Sequence, residues 1–243
     1  MATDLMLSPS ELNPNTKENS EAVFAEGGSW EKRGGRCQTR RFAEIFHRHA
    51  AVPLSKFRML DGGCGLGDGM PVWKKRYPGA ELFGCDISEV AVRRCEQRYG
   101  HLAQFFTASF EQIEGFWDVI YCSNVLEHFE QHLDIARFLL ARCSILYVMT
   151  PFNELRDGRL LKPMEGYFHV ATFFADTFDS LLENGHAAKI DTRIFSAPGA
   201  WAFRHERLRR IYHGLMGALF NKPFPIEWKQ VLYTMHRGDA ADR

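Results

Sequence analysis

The sequence predicts an α/β fold, in which a doubly wound, mostly parallel sheet carries helices on both faces. Short apolar segments typical of strands alternate with segments whose apolar residues recur at helical spacing. A turn with five glycines, Gly62 to Gly69, directly follows the first of these strands. The 243 residues, 45% of them hydrophobic, suffice for one such domain with additions.

The first half of the chain alternates helix and strand after a polar start. Residues 1–25 are rich in Ser, Asn, Pro and Glu, which predicts a mobile tail. Pro71 suits the first turn of one helix, and Ser88 suits the N-cap of another. The predicted helices are RRFAEIFHRHAA (40–51), PVWKKRY (71–77) and SEVAVRRCEQRYG (88–100), and the predicted strands are KFRML (56–60), AELFGC (80–85), AQFFTA (103–108) and FWDVIYC (116–122).

The second half continues the alternation and ends in two strands. VLEHFEQHLDIARFLLARC (125–143) predicts one long helix with Leu126, Phe129, Leu133, Ala136 and Leu140 on its apolar face. SILYVMT (144–150) is typical of a buried strand, and ADTFDSLLENG (175–185) predicts a helix that Gly185 stops. AAKIDTRIF (187–195) and KQVLYTMH (229–236) predict the last strands, with a helical stretch near 200–220 between them.

Composition excludes several classes of function. The formal net charge is +0, so no global field attracts a polyanion, and we expect no nucleic-acid partner. The six cysteines form no C-x-x-C pair, which predicts a reducing compartment without a structural disulfide or metal site. No apolar run reaches transmembrane length and the start lacks a signal-peptide core, so we expect a cytoplasmic protein without a membrane partner.

The glycine-rich turn predicts a ligand site, and its spacing narrows the choice of ligand. A strand, a glycine-rich turn and a helix bring backbone N–H groups close to a ligand. No register of the turn gives the dinucleotide pattern G-x-G-x-x-G, and no lysine provides a P-loop. What remains is D-x-G-x-G-x-G, beginning with Asp61 at the end of the strand. An acid at that point favours a ligand that carries positive charge.

This loop resembles motif I of the class I S-adenosylmethionine-dependent methyltransferases. The resemblance implies that the backbone at Gly62, Gly63, Gly65 and Gly67 runs past the methionine part of S-adenosylmethionine. Asp61 would then anchor the amino group of this cofactor. The resemblance also implies a seven-stranded sheet whose last strand is antiparallel.

The second and third strands supply candidate contacts to the nucleoside. Asp86 follows Asp61 by 25 residues, near the spacing of a ribose-binding acid, and Ile87 would lie against adenine. The alternative for Asp86 is an acid that stabilises the start of the helix after Ser88. Many relatives have an acid after the third strand, whereas this chain offers Ser109 and Phe110 there to hold adenine.

The fourth strand provides the second sign of the family. FWDVIYCSNVLEHF (116–129) resembles the segment FDVV…vLEH of these enzymes. Cys122 and Asn124 lie where the strand ends, which predicts contact with the cofactor. His128 is a candidate catalytic residue, although a histidine at a helix start often only caps the helix or packs in the core.

Residues 151–173 are too long for an ordinary connection, which predicts a lid or acceptor loop. His169 matches a histidine that recurs in relatives just before the next helix, and it is the preferred candidate base, although a purely structural role is equally open. Asn153, Glu165 and Tyr167 are candidate substrate contacts. Near the start of the domain, Trp30 and Arg33 resemble a segment that covers the cofactor in relatives.

Taken together, these features predict one methyltransferase domain over residues 26–243. S-adenosylmethionine would donate a methyl group to a small molecule, with O-methylation favoured over N- or C-methylation, and S-adenosylhomocysteine would be the product. Two alternatives stay open: a non-catalytic partner subunit that binds the cofactor, and an NAD(P)-dependent oxidoreductase. The second is disfavoured because no Tyr-x-x-x-Lys pair follows the fourth strand.

Overall fold

A computed structural model describes residues 16–32, 35–50, 52, 55–156, 159–160, 169–196 and 229–239. The predicted helical stretch near 200–220 and ten residues of the predicted acceptor loop, 157–158 and 161–168, lie outside these residues. The helices are α1 (Lys17–Phe24), α2 (Ser29–Lys32), α3 (Gly35–His49), α4 (Met70–Arg76), α5 (Glu89–Tyr99), α6 (His132–Leu140) and α7 (Asp179–Glu183). The strands are β1 (Arg58–Gly62), β2 (Glu81–Asp86), β3 (Gln104–Thr107), β4 (Trp117–Ser123), β5 (Cys143–Pro151), β6 (Leu155–Arg156), β7 (Arg159–Leu160), β8 (Ala187–Ser196) and β9 (Lys229–Arg237).

Seven of the strands form one sheet, in the order β3-β2-β1-β4-β5-β9-β8. The first five run parallel, and β9 pairs antiparallel with both β5 and β8. The predicted seven-stranded, mostly parallel sheet with an antiparallel last strand is therefore confirmed. Because the strand order reverses between β1 and β4, a crevice opens at their carboxyl ends.

Helices cover both faces of this sheet, as the alternating pattern predicts. On one face, Phe46 of α3 and Trp73 of α4 are buried against Tyr121 of β4. On the other face, Leu139 and Leu140 of α6 belong to a second buried cluster that includes β4 and β5. Within the described residues, every helix is too short or too polar to cross a bilayer.

The segment predicted as one long helix over 125–143 is interrupted. Leu126–His128 form a single turn of 3₁₀ helix, and α6 begins only at His132. This break rotates the apolar face, so Leu133 is 37% exposed whereas Ile135 and Leu139 are buried. The predicted burial of Leu133 was therefore wrong.

The polar start of the chain also differs from the prediction in part. Residues 17–24 of the predicted mobile tail form α1, which packs on α5. Glu21 of α1 accepts hydrogen bonds from the Ser88 hydroxyl and from the backbone N–H groups of Glu89 and Val90. Residues 1–15 lie outside the described residues.

Candidate active site at the carboxyl ends of the strands

The glycine-rich turn after β1 is fixed by backbone geometry. Gly63, Gly65 and Gly67 have φ of 78°, 52° and 66°, in the left-handed region that favours glycine. The N–H groups of Gly63 and Cys64 both donate to the Cys85 carbonyl, at 2.9 Å each, which joins the turn to β2. A Cβ atom at Gly63 would lie 2.5 Å from Val125 Cγ2. The turn therefore needs glycine for its conformation and, at Gly63, also for space.

Two buried carboxylates flank this turn. Asp61 is 4% exposed and Asp86 is 7% exposed. Asp86 accepts hydrogen bonds from the N–H groups of Gly65, at 2.9 Å, and Ser88, at 3.0 Å. Burial raises the pKa of Asp86 to about 6, and burial together with the negative charge of Asp86 raises the pKa of Asp61 well above its ordinary value. A cationic ligand in this crevice would offset the cost of both charges.

Residues predicted to hold an adenine ring meet where β2 and β3 end. The N–H of Ala108 donates to the Asp86 carbonyl, so Ile87 and Ser109 lie on neighbouring segments. Both are partly buried. Phe110 is 8% exposed and forms an edge-to-face pair with Phe129, so its ring belongs to the wall below Gly62. These residues form one side of the crevice.

Another acid in the turn has a structural role. Asp68 is buried and accepts two hydrogen bonds from Arg36 Nε, at 3.0 and 3.1 Å, and one from the Tyr99 hydroxyl, at 2.7 Å. Arg40 lies 3.4 Å from the same carboxylate. Arg36 and Arg40 thus join α3 to the turn, and Tyr99 joins α5 to it.

The N-terminal helices cover the turn from outside. The Phe24 ring of α1 lies over Gly65, where an added Cβ would be 3.1 Å from Phe24 Cε1. Trp30 forms an edge-to-face pair with Phe24, with ring centroids 6.0 Å apart. The ion pair of Glu31 with Arg94, at 2.8 Å, ties this cover to α5. Trp30 therefore lies in the N-terminal helices that cover the turn and not in the turn itself. Arg33 lies outside the described residues.

A second polar group lies beyond the end of β4. Asn124 has φ of 53°, and its side chain lies 3.4 Å from the Gln230 amide. Cys122, in contrast, is 1% exposed and its side chain packs in the core. Asn153 also has a left-handed backbone, with φ of 50°, and its N–H donates to Phe173. Glu165 and Tyr167 lie outside the described residues.

Two carboxylates and two histidines meet in the segments that follow β4 and β5. His169 Nδ1 lies 2.5 Å from Glu154 Oε2, and His169 Nε2 lies 4.0 Å from Glu127 Oε1. The rings of His128 and His169 are 5.0 Å apart. Burial raises the pKa of Glu127 to about 7. At His169 burial lowers the pKa, but the hydrogen bond that it donates to Glu154 and the negative charges of Glu127 and Glu154 leave the pKa raised overall. We call Glu127, Glu154, His128 and His169 the acceptor-side cluster.

The sequence identified both histidines of this cluster but assigned no role to Glu127 or Glu154. Glu154 follows β5 in the segment PFNE, and its place after a strand end was the available signal. Its proximity to His169 depends on the return of the chain at Phe173, which pairs with Phe152. This long-range pairing could not be read from the local pattern.

Comparison with known proteins gives a consistent result. A family model described as "Methyltransferase domain" matches residues 30–189. The chain is 34% identical over 78 residues to magnesium-protoporphyrin O-methyltransferase of Synechocystis sp. strain PCC 6803, covering 29% of this chain and 33% of that protein. It is 32% identical over 121 residues to trans-aconitate 2-methyltransferase of Methylobacterium radiotolerans, covering 48% and 45%. The matches thus span less than half the length of these relatives.

Solved structures share the fold. The crystal structure of magnesium protoporphyrin IX methyltransferase from Synechocystis PCC 6803, with bound SAH, superimposes with a TM-score of 0.56 at 18% identity. The alignment covers 86% of this chain and 88% of that one. At 18% identity, this match shows a similar fold only.

Proposed function

This chain belongs to the methyltransferase domain family, and we propose that it transfers a methyl group from S-adenosylmethionine to an oxygen atom of a small molecule. The observation that carries the proposal is the glycine turn between two buried acids, Asp61 and Asp86, at the reversal of strand order. Such a site suits a nucleoside that is cationic and has no phosphate.

The residues present fit this donor. Asp86 would accept hydrogen bonds from the ribose hydroxyls, and Asp61 would compensate the positive charge of the amino group and the sulfonium. Both carboxylates are buried, and burial raises the pKa of each, so a cationic partner stabilises their charged forms. Ile87, Ser109 and the wall formed by Phe110 would hold the adenine ring. When bound, the donor supplies a methyl group on a sulfur that is already a good leaving group.

The acceptor-side cluster supports an oxygen acceptor. A hydroxyl must lose its proton during methyl transfer, whereas an amine attacks through a lone pair. A polar cluster that can accept a proton therefore favours an oxygen acceptor. His169 is the residue that we propose to act on the acceptor, ahead of His128, because Glu154 fixes its ring. The curated relative named as an O-methyltransferase agrees with this choice. Asn153, with Glu165 and Tyr167, remains a candidate contact for the substrate.

Two measurements test the proposal. Calorimetry should detect 1:1 binding of S-adenosylmethionine and S-adenosylhomocysteine but none of NADH. Binding of NADH alone would overturn the assignment. Incubation with methyl-labelled donor and a panel of hydroxyl, carboxyl and amine compounds should transfer label to oxygen. Transfer to amines alone would contradict the oxygen acceptor, and donor binding without any transfer across the panel would favour a non-catalytic binding subunit.

A further inference from the structure

We propose that Glu127, His128 and His169 form a binding site for a divalent transition-metal cation on the acceptor side of the crevice. The sequence predicted no metal site, because it contains no cysteine pair and no local run of ligands. The fold brings the three residues together from two segments about 40 residues apart. Each offers one ligand atom, and these atoms all lie within 4.8 Å of one another.

The distances between ligand atoms are close to those of an occupied site. Bonds of about 2.0–2.2 Å from a cation to nitrogen or oxygen place neighbouring ligand atoms about 3–4 Å apart. His169 Nε2 is already 4.0 Å from Glu127 Oε1. Small side-chain rotations of His128 and Glu127 would therefore complete the coordination without movement of the backbone.

Glu127 gives independent evidence for a ligand. Its side chain is 1% exposed, and neither carboxylate oxygen has a hydrogen-bond partner within the described residues. An ionised carboxylate is costly to bury unless it is paired or coordinates a metal. The backbone holds it in place, because the Glu127 carbonyl accepts hydrogen bonds from Val170, at 2.8 Å, and Ala171, at 3.1 Å. These bonds also fix the segment that carries His169.

Glu154 orients one of the proposed ligands. Its carboxylate is 2.5 Å from His169 Nδ1 and accepts a hydrogen bond from the N–H of that nitrogen. The other ring nitrogen, Nε2, then faces Glu127. Histidines that bind metals commonly donate their second ring N–H to a carboxylate, which fixes the tautomer and the ring orientation. Glu154 is thus a positioning residue for the proposed site.

The donor set selects the class of metal and suggests its use. Two imidazoles and one carboxylate favour Zn²⁺, Fe²⁺, Co²⁺ or Mn²⁺ over the oxygen-preferring Ca²⁺ and Mg²⁺. Three protein ligands leave coordination positions for an oxygen of the acceptor. Binding of the acceptor to the metal rests on the proposed function, whereas binding of the metal itself does not. With the cation on its Nε2, His169 would act on the acceptor through the metal and not as a base. The coordinated hydroxyl would release its proton to water, its oxygen would bond to the methyl carbon, and the carbon–sulfur bond would break with its electron pair remaining on sulfur.

Cobalt titration tests the site directly. The full chain, stripped of metal with EDTA and dialysed, is titrated with Co²⁺ in the absence of donor and acceptor. We expect one equivalent to bind with visible absorption bands from nitrogen and oxygen ligands. Glu127→Gln, His169→Ala and Glu154→Gln should each weaken binding at least tenfold. His101→Ala, which removes an exposed histidine far from the cluster in sequence, should bind as the unmodified chain does.

The outcomes separate the metal site from the methyltransferase activity. Thermal melts monitored by circular dichroism establish that each variant is folded, and Glu127→Gln keeps the shape of the side chain. Absence of stoichiometric cobalt binding, or equal binding by the unmodified chain and Glu127→Gln, overturns the metal site. Calorimetry with S-adenosylhomocysteine on the same preparation tests the proposed function separately, since it needs no metal. Cobalt binding without nucleoside binding would support the metal site and contradict the proposed function.

Discussion

At the residue scale, the structural role of Asp86 is compatible with the ligand-binding role proposed for it. Its two oxygens accept from the N–H groups of Gly65 and Ser88, which join the glycine turn to the start of α5. A carboxylate oxygen can accept more than one hydrogen bond, so these contacts leave acceptor capacity for two vicinal hydroxyls. The two interpretations of Asp86 from the sequence, ribose ligand and helix-start acid, are therefore compatible.

We expect Asp86→Ala to weaken binding of S-adenosylhomocysteine by roughly 1.5–3 kcal/mol, because hydrogen bonds to a charged group are lost. Calorimetry at pH 7.5 measures this change. Asp118→Ala is a matched control: Asp118 accepts from the Arg58 N–H, at 2.7 Å, near the opposite ends of the strands. The control should lose stability but keep its nucleoside affinity. Unchanged affinity in Asp86→Ala would leave Asp86 with its structural role only.

Gly63 and Gly115 form a natural pair for a test of the turn. Both have φ of 78°, so alanine at either position costs about 1 kcal/mol of backbone strain. The added Cβ meets Val125 Cγ2 at 2.5 Å in Gly63→Ala, whereas nothing lies within 4 Å of it at Gly115. We expect Gly63→Ala to lower the free energy of unfolding by about 1–3 kcal/mol more than Gly115→Ala in urea titrations. Equal losses of unfolding free energy in the two variants would mean that the Val125 side chain moves away from the added Cβ at no energetic cost.

Single residues were predictable from the sequence where their role is local. The N-cap of Ser88 is confirmed, since its hydroxyl accepts from the Ala91 N–H at 3.0 Å. Glu127 and Glu154 were not assigned, because their significance depends on an approach to His169 that no local pattern encodes. Asp68 could not be separated by sequence from Asp61 and Asp86, the acids proposed to bind the ligand, since only the fold pairs Asp68 with Arg36.

At the scale of elements, α1 acts as a remote cap for α5. The first N–H groups of α5 have no partner within their own helix. Glu21 accepts hydrogen bonds from the N–H groups of Glu89 and Val90, and the Ser88 hydroxyl accepts one from the N–H of Ala91. Arg94 of α5 donates in return to the carbonyls of Phe24 and Ala25 at the end of α1. These contacts hold the Phe24 ring over the glycine turn.

We expect Glu21→Ala to release α1 from α5 without unfolding the domain, because its three hydrogen bonds to the start of α5 are lost. Limited proteolysis should then cleave the chain near Gly27 and Gly28 several times faster than in the unmodified protein. Glu18→Ala changes the same residue type on the exposed side of the same helix and should leave the cleavage rate unchanged. Equal rates in the two variants would show that Glu21 does not hold α1.

The prediction of elements failed where long-range contacts determine the structure. α1 is a polar segment without a single buried residue, so its pattern gave no sign of a packed helix. Its main contacts reach partners about 70 residues away. The break before α6 has a similar origin, because the turn at Glu127 presents its carbonyl to Val170 and Ala171. The strands and α5, in contrast, have strong local periodicity and were predicted to within a few residues.

At the scale of the whole molecule, the strand order brings the two halves of the site together. Asp61 and Asp86 lie at the carboxyl ends of β1 and β2, and Asn124 follows β4. These three strands are neighbours whose carboxyl ends share one edge of the sheet. The alternation of strands and helices predicts this edge, so the place of the proposed donor side in the fold could be predicted from the sequence. The proposed acceptor side also contains the end of β5 and the segment around His169 that returns beside β5. The alternation of strands and helices does not determine the path of that segment.

The buried acids also link the stability of the molecule to its ligand. Burial raises the pKa of Asp86 from 3.8 to about 6, so the folded chain holds a proton on Asp86 that the unfolded chain has released between about pH 4 and 6. The contribution of Asp86 to stability therefore falls as the pH rises through this window. A ligand that donates hydrogen bonds to the charged carboxylate binds more tightly as the pH rises through about 6. The first effect lowers the stability of the ligand-free chain, and only the second enlarges the stabilisation by ligand at higher pH.

We therefore expect the increase in Tm caused by saturating S-adenosylhomocysteine to be larger at pH 7 than at pH 5. At pH 5, one unit below the pKa of Asp86, about nine tenths of that carboxyl is protonated, which lowers the affinity about tenfold and removes about 1.4 kcal/mol of stabilisation. Thermal melts from pH 5 to 7.5, with and without the nucleoside, measure this difference. Asp118→Ala should keep the dependence, because its carboxylate lies away from the crevice, and Asp86→Ala should lose most of it. A shift in Tm that stays constant across the range would mean that the nucleoside does not contact the charged form of Asp86.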